Sequence, residues 1–109
     1  MSIRQNLTVI ENNDVSLAFT ITYAGAAVNL GGYTLTVTLK QSAGKPDSTG
    51  TTFTTSSGLT ITNAAAGQFT WLIPHTNLAQ PGQFWYRVDL ASGGDTSTAM
   101  YGIVTVMAA

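Results

Sequence analysis

Apolar and polar residues alternate along much of the chain. In the stretches 15–23, 33–39 and 84–90 every second residue is apolar, and the residues between them are mostly Thr, Ser or other polar types. A period of two residues is the signature of a β-strand with one buried face. Threonine is β-branched, so it suits a pleated surface while remaining polar. The pattern therefore predicts three strands, each buried on one side.

Shorter stretches with the same character fill most of the remaining chain. We expect strands at 51–54, 59–62 and 67–73, a last strand over 96–107 and a less regular first strand over 3–10. The Ser56-Ser57-Gly58 segment is typical of a hairpin turn between the strands at 51–54 and 59–62. A polar loop is predicted at 42–50, and the only short helix at 75–80, before Pro81-Gly82.

These elements predict an all-β protein with a single domain over residues 1–109. The spacing of turns, about 8–12 residues, is that of an antiparallel β-sandwich of seven to eight strands. No stretch of ten or more residues has the apolar periodicity of a helix, which excludes a parallel βαβ architecture. The predicted core consists of the inward residues of the alternating strands: Leu17, Phe19, Ile21, Leu35, Val37, Phe69, Trp71, Phe84, Tyr86, Val88, Val104 and Val106.

Charged residues are scarce, at 8% of the chain, about a third of the ordinary share. Charge normally keeps strand edges and protein faces apart, and depletion of Lys, Glu and Asp is typical of protein–protein contact surfaces. The composition has two interpretations. The chain is adapted to an assembly, or it is simply a threonine-rich β protein.

The chain offers little chemistry for catalysis or cofactor binding. It has no cysteine, His75 is its only histidine, and its net charge is −1 with the basic residues scattered. We therefore expect no enzyme, no cofactor, no metal and no nucleic-acid partner. No apolar run approaches the roughly 18 residues of a membrane span, and residues 1–6 lack a hydrophobic signal segment. We expect neither a membrane partner nor a signal peptide.

Four residues are candidates for a contact surface. Strand parity turns Trp85 and Arg87 away from the predicted core, and Trp and Arg are favoured as interface anchors. The alternative is that Trp85 lies under a loop as satellite core. Leu7 and Val9 belong to the irregular first strand, which pairs either within its own sheet or with a neighbouring subunit.

The order of several turn-and-strand motifs resembles a known family. The residues that carry the resemblance are Asn13-Asp14-Val15-Ser16-Leu17, Leu30-Gly31-Gly32-Tyr33, Ala66-Gly67-Gln68-Phe69, Pro81-Gly82-Gln83-Phe84-Trp85-Tyr86 and Tyr101-Gly102-Ile103-Val104. They are similar to the immunoglobulin-like domain at the N-terminus of phage baseplate upper proteins and in related tail and virion proteins. The similarity extends from about residue 10 to residue 106.

The resemblance implies an immunoglobulin-like sandwich and a role without catalysis. It implies a structural protein of the phage virion, in the tail or baseplate, the neck or the capsid decoration. Such a protein is made in the host cytoplasm and contacts other phage structural proteins. The scarcity of charge, the irregular first strand and the outward Trp85 and Arg87 together predict a homo-oligomer. The family provides no catalytic residues to transfer to this sequence.

A carbohydrate-binding or host-surface adhesion module on the same kind of sandwich is the alternative function. Exposed aromatic side chains are suited to stacking on sugar rings, and the chain has two tryptophans and four tyrosines. The assembly hypothesis predicts self-association and protein partners. The adhesion hypothesis predicts a monomer whose tryptophan fluorescence responds to glycans.

Overall fold

The computed structural model describes residues 3–23, 25–41, 44, 50–78 and 81–108, and only the backbone of Ile3 and Tyr23. Its strands are β1 (Ile3–Arg4), β2 (Leu7–Ile10), β3 (Val15–Thr20), β4 (Thr22–Tyr23), β5 (Ala26–Ala27), β6 (Thr34–Lys40), β7 (Thr51–Thr54), β8 (Leu59–Asn63), β9 (Gln68–Ile73), β10 (Gly82–Ser92) and β11 (Asp95–Met107). Short 3₁₀ turns occupy Leu30–Gly32 and His75–Leu78.

The larger sheet is built around β10, whose clean alternation buries one face. Its strand order is β1-β11-β10-β6-β7, and β2 also pairs with β11. Tyr86 on β10 lies opposite Gly102 on β11 and Leu39 on β6. A bulge at Ala99 lets Val88 oppose Met100 while Asp89 opposes Thr98. The extra residue reverses the parity of β11 and brings Thr98 onto the outer face beside Asp89.

The smaller sheet packs against the larger one and has the order β3-β9-β8. All its pairs are antiparallel, with Phe19 opposite Phe69 and Leu17 opposite Trp71. Beyond β3, the strands β4 and β5 form a separate two-stranded ribbon. The chain forms this ribbon before it continues to β6 in the larger sheet.

The strand order is that of an immunoglobulin sandwich, which confirms the predicted fold class. In chain order, β3, β8 and β9 take the places of strands B, D and E, and β6, β7, β10 and β11 those of C, C′, F and G. Taking β1 and β2 as one interrupted edge strand and setting the ribbon aside gives eight strands. The sandwich is not wholly antiparallel, because β1 and β2 both run parallel to β11.

The predicted hairpin between the strands at 51–54 and 59–62 is wrong. β7 pairs with β6 in the larger sheet, whereas β8 pairs with β9 in the smaller one. The intervening residues carry the chain from one sheet to the other, and Gly58 within them has φ of +95°. Phe53 and Leu59 are both buried, so each strand contributes its apolar side chain to the core from a different sheet.

The predicted core is confirmed with two exceptions. All its members are buried except Leu17 and Phe84, which are half-buried and pack against the core from its margin. Aromatic rings fill the centre: Phe19 stacks on Phe69 at 5.3 Å between ring centroids, and Trp71 lies 5.7 Å from Tyr86 and 5.4 Å from Phe53. Such contacts add to the free energy of burying the rings.

The short helix predicted at 75–80 is present as the 3₁₀ turn at His75–Leu78, but it is not the only one, because a second 3₁₀ turn occupies Leu30–Gly32. Residues 79 and 80, which the prediction included, lie outside the described part of the chain. Of the predicted loop at 42–50, only residues 44 and 50 are described.

Candidate assembly surfaces

The N-terminal segment pairs within its own sheet. The backbone N–H of Gln5 donates to the carbonyl oxygen of Tyr101 at 2.9 Å, and the N–H of Ile103 donates to Asn6 Oδ1 at 3.1 Å. The Tyr86 hydroxyl donates to the carbonyl oxygen of Gln5. A glycine is needed at position 102, where β11 lies against Gln5, because a Cβ there would collide with the Gln5 carbonyl. Of the two alternatives for the first strand, the structure shows the intramolecular one.

Leu7 and Val9 pack within the larger sheet. β2 places Leu7 opposite Val104 and Val9 opposite Val106, on the side of β11 that faces the core. Val9 is only 4% exposed, and Leu7 is half-buried against the core. Their part in an interface stays a prediction. The outer side of β2 instead presents Ile10, which is 42% exposed.

Trp85 lies on the outer face of the larger sheet, as its parity predicts. It is half-buried rather than free, because its ring packs against Tyr101 on β11 with 5.5 Å between centroids. Since β10 pairs with β11 and β6, this outer face is defined by Trp85, Arg87, Asp89, Thr98 and Tyr101. We call it the Trp85 face.

Polar side chains on the Trp85 face form hydrogen bonds with one another. Arg87 Nε donates to Asp89 Oδ2 at 2.8 Å, and the hydroxyl of Thr98 donates to Asp89 Oδ1 at 2.8 Å. On the adjacent β6, the outward Thr38 and Lys40 are only 4% and 7% exposed. The face is thus a fixed layer of aromatic and hydrogen-bonded groups, which lose little further side-chain entropy in a contact.

Among the described residues, His75 and Asp14 form the one histidine–carboxylate pair. Asp14 Oδ1 accepts the backbone N–H of His75 at 2.7 Å and lies 2.9 Å from His75 Nδ1. The backbone hydrogen bond, followed by the bond to the ring, holds the pKa of Asp14 below its ordinary value. Both side chains are more than half exposed. The pair joins the beginning of β3 to the 3₁₀ turn before β10, which is a structural role.

Tyr33 is an exposed aromatic residue between two concavities. It is 43% exposed and lines both a hollow of about 260 Å³ and one of about 340 Å³. The polar residues that share the first hollow are Thr22, Ser97 and Thr98, and those of the second are Thr34, Thr55 and Thr60. Neither lining contains a charged residue, so the surroundings of Tyr33 suit a neutral, hydroxylated ligand.

Among the described residues, His, Asp and Glu do not gather into any group of three that could hold a metal ion. Within the described ranges, no helix has the length and apolar character needed to span a membrane.

Similarity to known proteins is limited to three-dimensional structure. No protein-family model matches the chain, and no curated protein matches it. The N-terminal domain of phage TP901-1 ORF48 is similar in structure, with a TM-score of 0.63 and 11% identity over 96% of this chain and 97% of that one. The NK cell receptor Nkp44 aligns with a TM-score of 0.47 and 18% identity over 94% and 97% of the two chains. The first likeness shows a β fold shared with a phage protein domain.

Proposed function

We propose that the chain is a non-catalytic structural component of a tailed-phage particle that acts through protein–protein assembly. The observation that carries the proposal is the fold shared with a phage protein domain over 96% of this chain and 97% of that domain. The motifs quoted above support the same family of baseplate, tail and virion domains. The protein would be made in the host cytoplasm and reside in the virion.

The surface chemistry supports an assembly role. Only nine of 109 residues are Lys, Arg, Asp or Glu. Of these, Arg87 and Asp89 form a salt bridge on the Trp85 face, so their opposite charges offset each other. A surface with so little free charge favours contact with other proteins over a monomeric state.

The arrangement of ionisable groups supports a role without catalysis. Asp14 and His75 are exposed, and within the described residues the His75 side chain bonds only to Asp14. Asp89 accepts from Arg87 and Thr98 and thereby fixes the Trp85 face. Catalytic carboxylates and histidines normally converge in a cleft with a nucleophile or a metal. Here the Asp14–His75 pair and the hydrogen bonds of Asp89 each have a structural role instead.

Binding to the particle tests the proposal directly. Particles assembled from the encoding phage genome without this gene would be mixed with the purified protein and sedimented. We expect the wild type to sediment with the particles. Trp85→Ala should weaken binding by about tenfold or more, as truncation of an interface anchor does. Leu72→Ala, at a 47% exposed position on the smaller sheet, is the matched control and should bind normally. Wild-type protein that stays in the supernatant contradicts the proposal.

Carbohydrate binding is the second candidate function, and Tyr33 is the observation that favours it. An aromatic ring flanked by two uncharged, hydroxyl-lined hollows matches the apolar faces and hydroxyl groups of a hexose. Titration with neutral hexose oligosaccharides, followed by NMR, tests this. Shifts at residues around Tyr33 that disappear in Tyr33→Ala and persist in Leu72→Ala support it. No shifts at millimolar ligand exclude it.

A further inference from the structure

The strand β3 has a free edge in the smaller sheet. It pairs with β9 on one side, and no other strand of the described residues pairs with it, because β1 and β2 pair with β11. The other strands that pair on one side only are shorter, with two residues in β1, β4 and β5, four in β2 and β7, and five in β8, whereas β3 has six. β3 is therefore the longest open edge among them.

The direction of the backbone groups on β3 follows from the register. The N–H of Ile21 donates to the carbonyl of Gly67, which continues the pairing of β3 with β9. The N–H of Leu72 donates to Gly58 on the opposite side of β9. Since the hydrogen-bonding direction alternates along an antiparallel strand, odd-numbered residues of β3 bond to β9. The N–H and C=O groups of Ser16, Ala18 and Thr20 point to the free edge.

The side chains along this edge have no protection against pairing. Natural sheets guard open edges with charges, proline or bulges, yet β3 reads Val-Ser-Leu-Ala-Phe-Thr and pairs with β9 without a register shift. Val15 and Leu17 face the core but remain half-exposed, because nothing in the described structure closes the sandwich beyond β3. An added strand would cover both side chains.

We propose that β3 pairs in antiparallel orientation with β3 of a second copy of this chain, about a twofold axis at Leu17. This register joins the two smaller sheets into one sheet of six strands. The inference rests on the proposed assembly function and names the partner surface for self-association.

The sequence of β3 is self-complementary in this register. On the core side Val15 lies opposite Phe19 of the second copy, and Leu17 lies opposite Leu17 of the second copy, so apolar residues contact apolar residues. On the outer side Ser16 lies opposite Ala18, two small residues. Asp14 comes opposite Thr20, so no like charges meet across the axis. The contact uses the same residues on both copies, and it closes as a dimer instead of propagating as a fibre.

Proline substitution tests the edge without disturbing the sheet. Ala18→Pro removes an N–H that points to the free edge, so the β3–β9 hydrogen bonds remain. The matched control is Thr52→Pro on β7. Thr52 likewise directs its N–H away from its partner strand, because Thr54 on the same strand bonds to Ser57 rather than to β6. In sedimentation velocity over a concentration series, we expect a dimer for the wild type and Thr52→Pro, and a monomer for Ala18→Pro. Circular dichroism would verify that both variants are folded.

Cysteine cross-linking tests the register, since the chain has no native cysteine. Leu17 sits in a non-hydrogen-bonded position across the axis, where Cα atoms lie about 4.5 Å apart, within reach of a disulfide. Leu17→Cys should form a covalent dimer on mild oxidation, and Thr52→Cys should not. Monomeric wild-type protein at the highest concentration overturns the proposal, as does cross-linking of Thr52→Cys equal to that of Leu17→Cys. Cross-linking of Ala18→Cys in place of Leu17→Cys overturns the register.

The outcome for β3 is distinguishable from the outcome for the proposed function. A wild type that binds particles but stays monomeric and does not cross-link refutes the β3 dimer and leaves the particle role standing. A dimer that never binds particles supports the β3 pairing and refutes the particle role.

Discussion

Truncating Phe19 to alanine should remove a large share of the stability of the fold. Phe19 is 4% exposed, stacks on Phe69 at 5.3 Å, and lies 6.3 and 6.4 Å from the rings of Trp71 and Tyr86. Emptying such a site typically costs about 3–5 kcal/mol. Three rings line the resulting cavity, two on β9 of the smaller sheet and one on β10 of the larger sheet, so collapse onto the space is restricted. We expect a loss in the upper half of that range.

The same substitution at Phe84 provides the matched control. The sequence predicts equal costs for the two phenylalanines, because both have inward parity. In the structure Phe84 is only half-buried at the margin of the core, so Phe84→Ala should cost about 1–2 kcal/mol, roughly half the free energy of burying a whole side chain.

Urea unfolding followed by tryptophan fluorescence measures both free energies, and unchanged m-values would show that the comparison is valid. A loss below about 1 kcal/mol for Phe19→Ala, or equal losses at both positions, would refute the assignment of the core centre.

Four further predictions concern the N-terminal segment and the effect of pH. Tyr86→Phe leaves the carbonyl of Gln5 without its hydrogen bond and should cost about 1–3 kcal/mol in urea unfolding; no change would refute the role of the hydroxyl. Burial raises the pKa of Tyr86 to about 12, so stability should be intact below pH 10 and fall as pH rises from 10 to 12; in Tyr86→Phe this alkaline loss should shrink. Because the pKa of Asp14 is lowered in the fold, its ionised carboxylate stabilises the protein above pH 3.8, its ordinary pKa, and this stabilisation is lost as the pH falls below 3.8. Thermal melts of Asp14→Asn should therefore depend less on acid pH than those of the wild type. Identical acid profiles would contradict this. Gly102→Ala should displace the segment around Gln5 and raise amide exchange there, while Gly32→Ala, in open space, should not.

The sequence predicts the faces of the strands well because side-chain direction alternates strictly along a strand. The parity of 33–39 and 84–90 identified Leu35, Val37, Tyr86 and Val88, which are all buried. Alternation does not say which sheet a strand joins. The strands at 51–54 and 59–62 have a turn between them that suits a hairpin, yet the non-local partners β6 and β9 decide their pairing.

The candidate surfaces were predicted less completely, for the same reason. Trp85 and Arg87 do lie on the outer face, since parity alone places them. Val9 lies in the core because β2 pairs with β11, a contact about a hundred residues away along the chain. The open edge of β3 depends on that same pairing, because the N-terminal strand would otherwise be free to cover it.

The abundance of the protein in purified particles tests whether it is a fixed part of a phage particle. Particles of the encoding phage would be banded on a density gradient, washed in about 1 M salt and analysed by quantitative mass spectrometry. Because the proposed contact surfaces carry little charge, screening should not release the protein. We expect a fixed copy number per particle that survives the wash. Protein found only in the unassembled fraction, or lost entirely in salt, would contradict it.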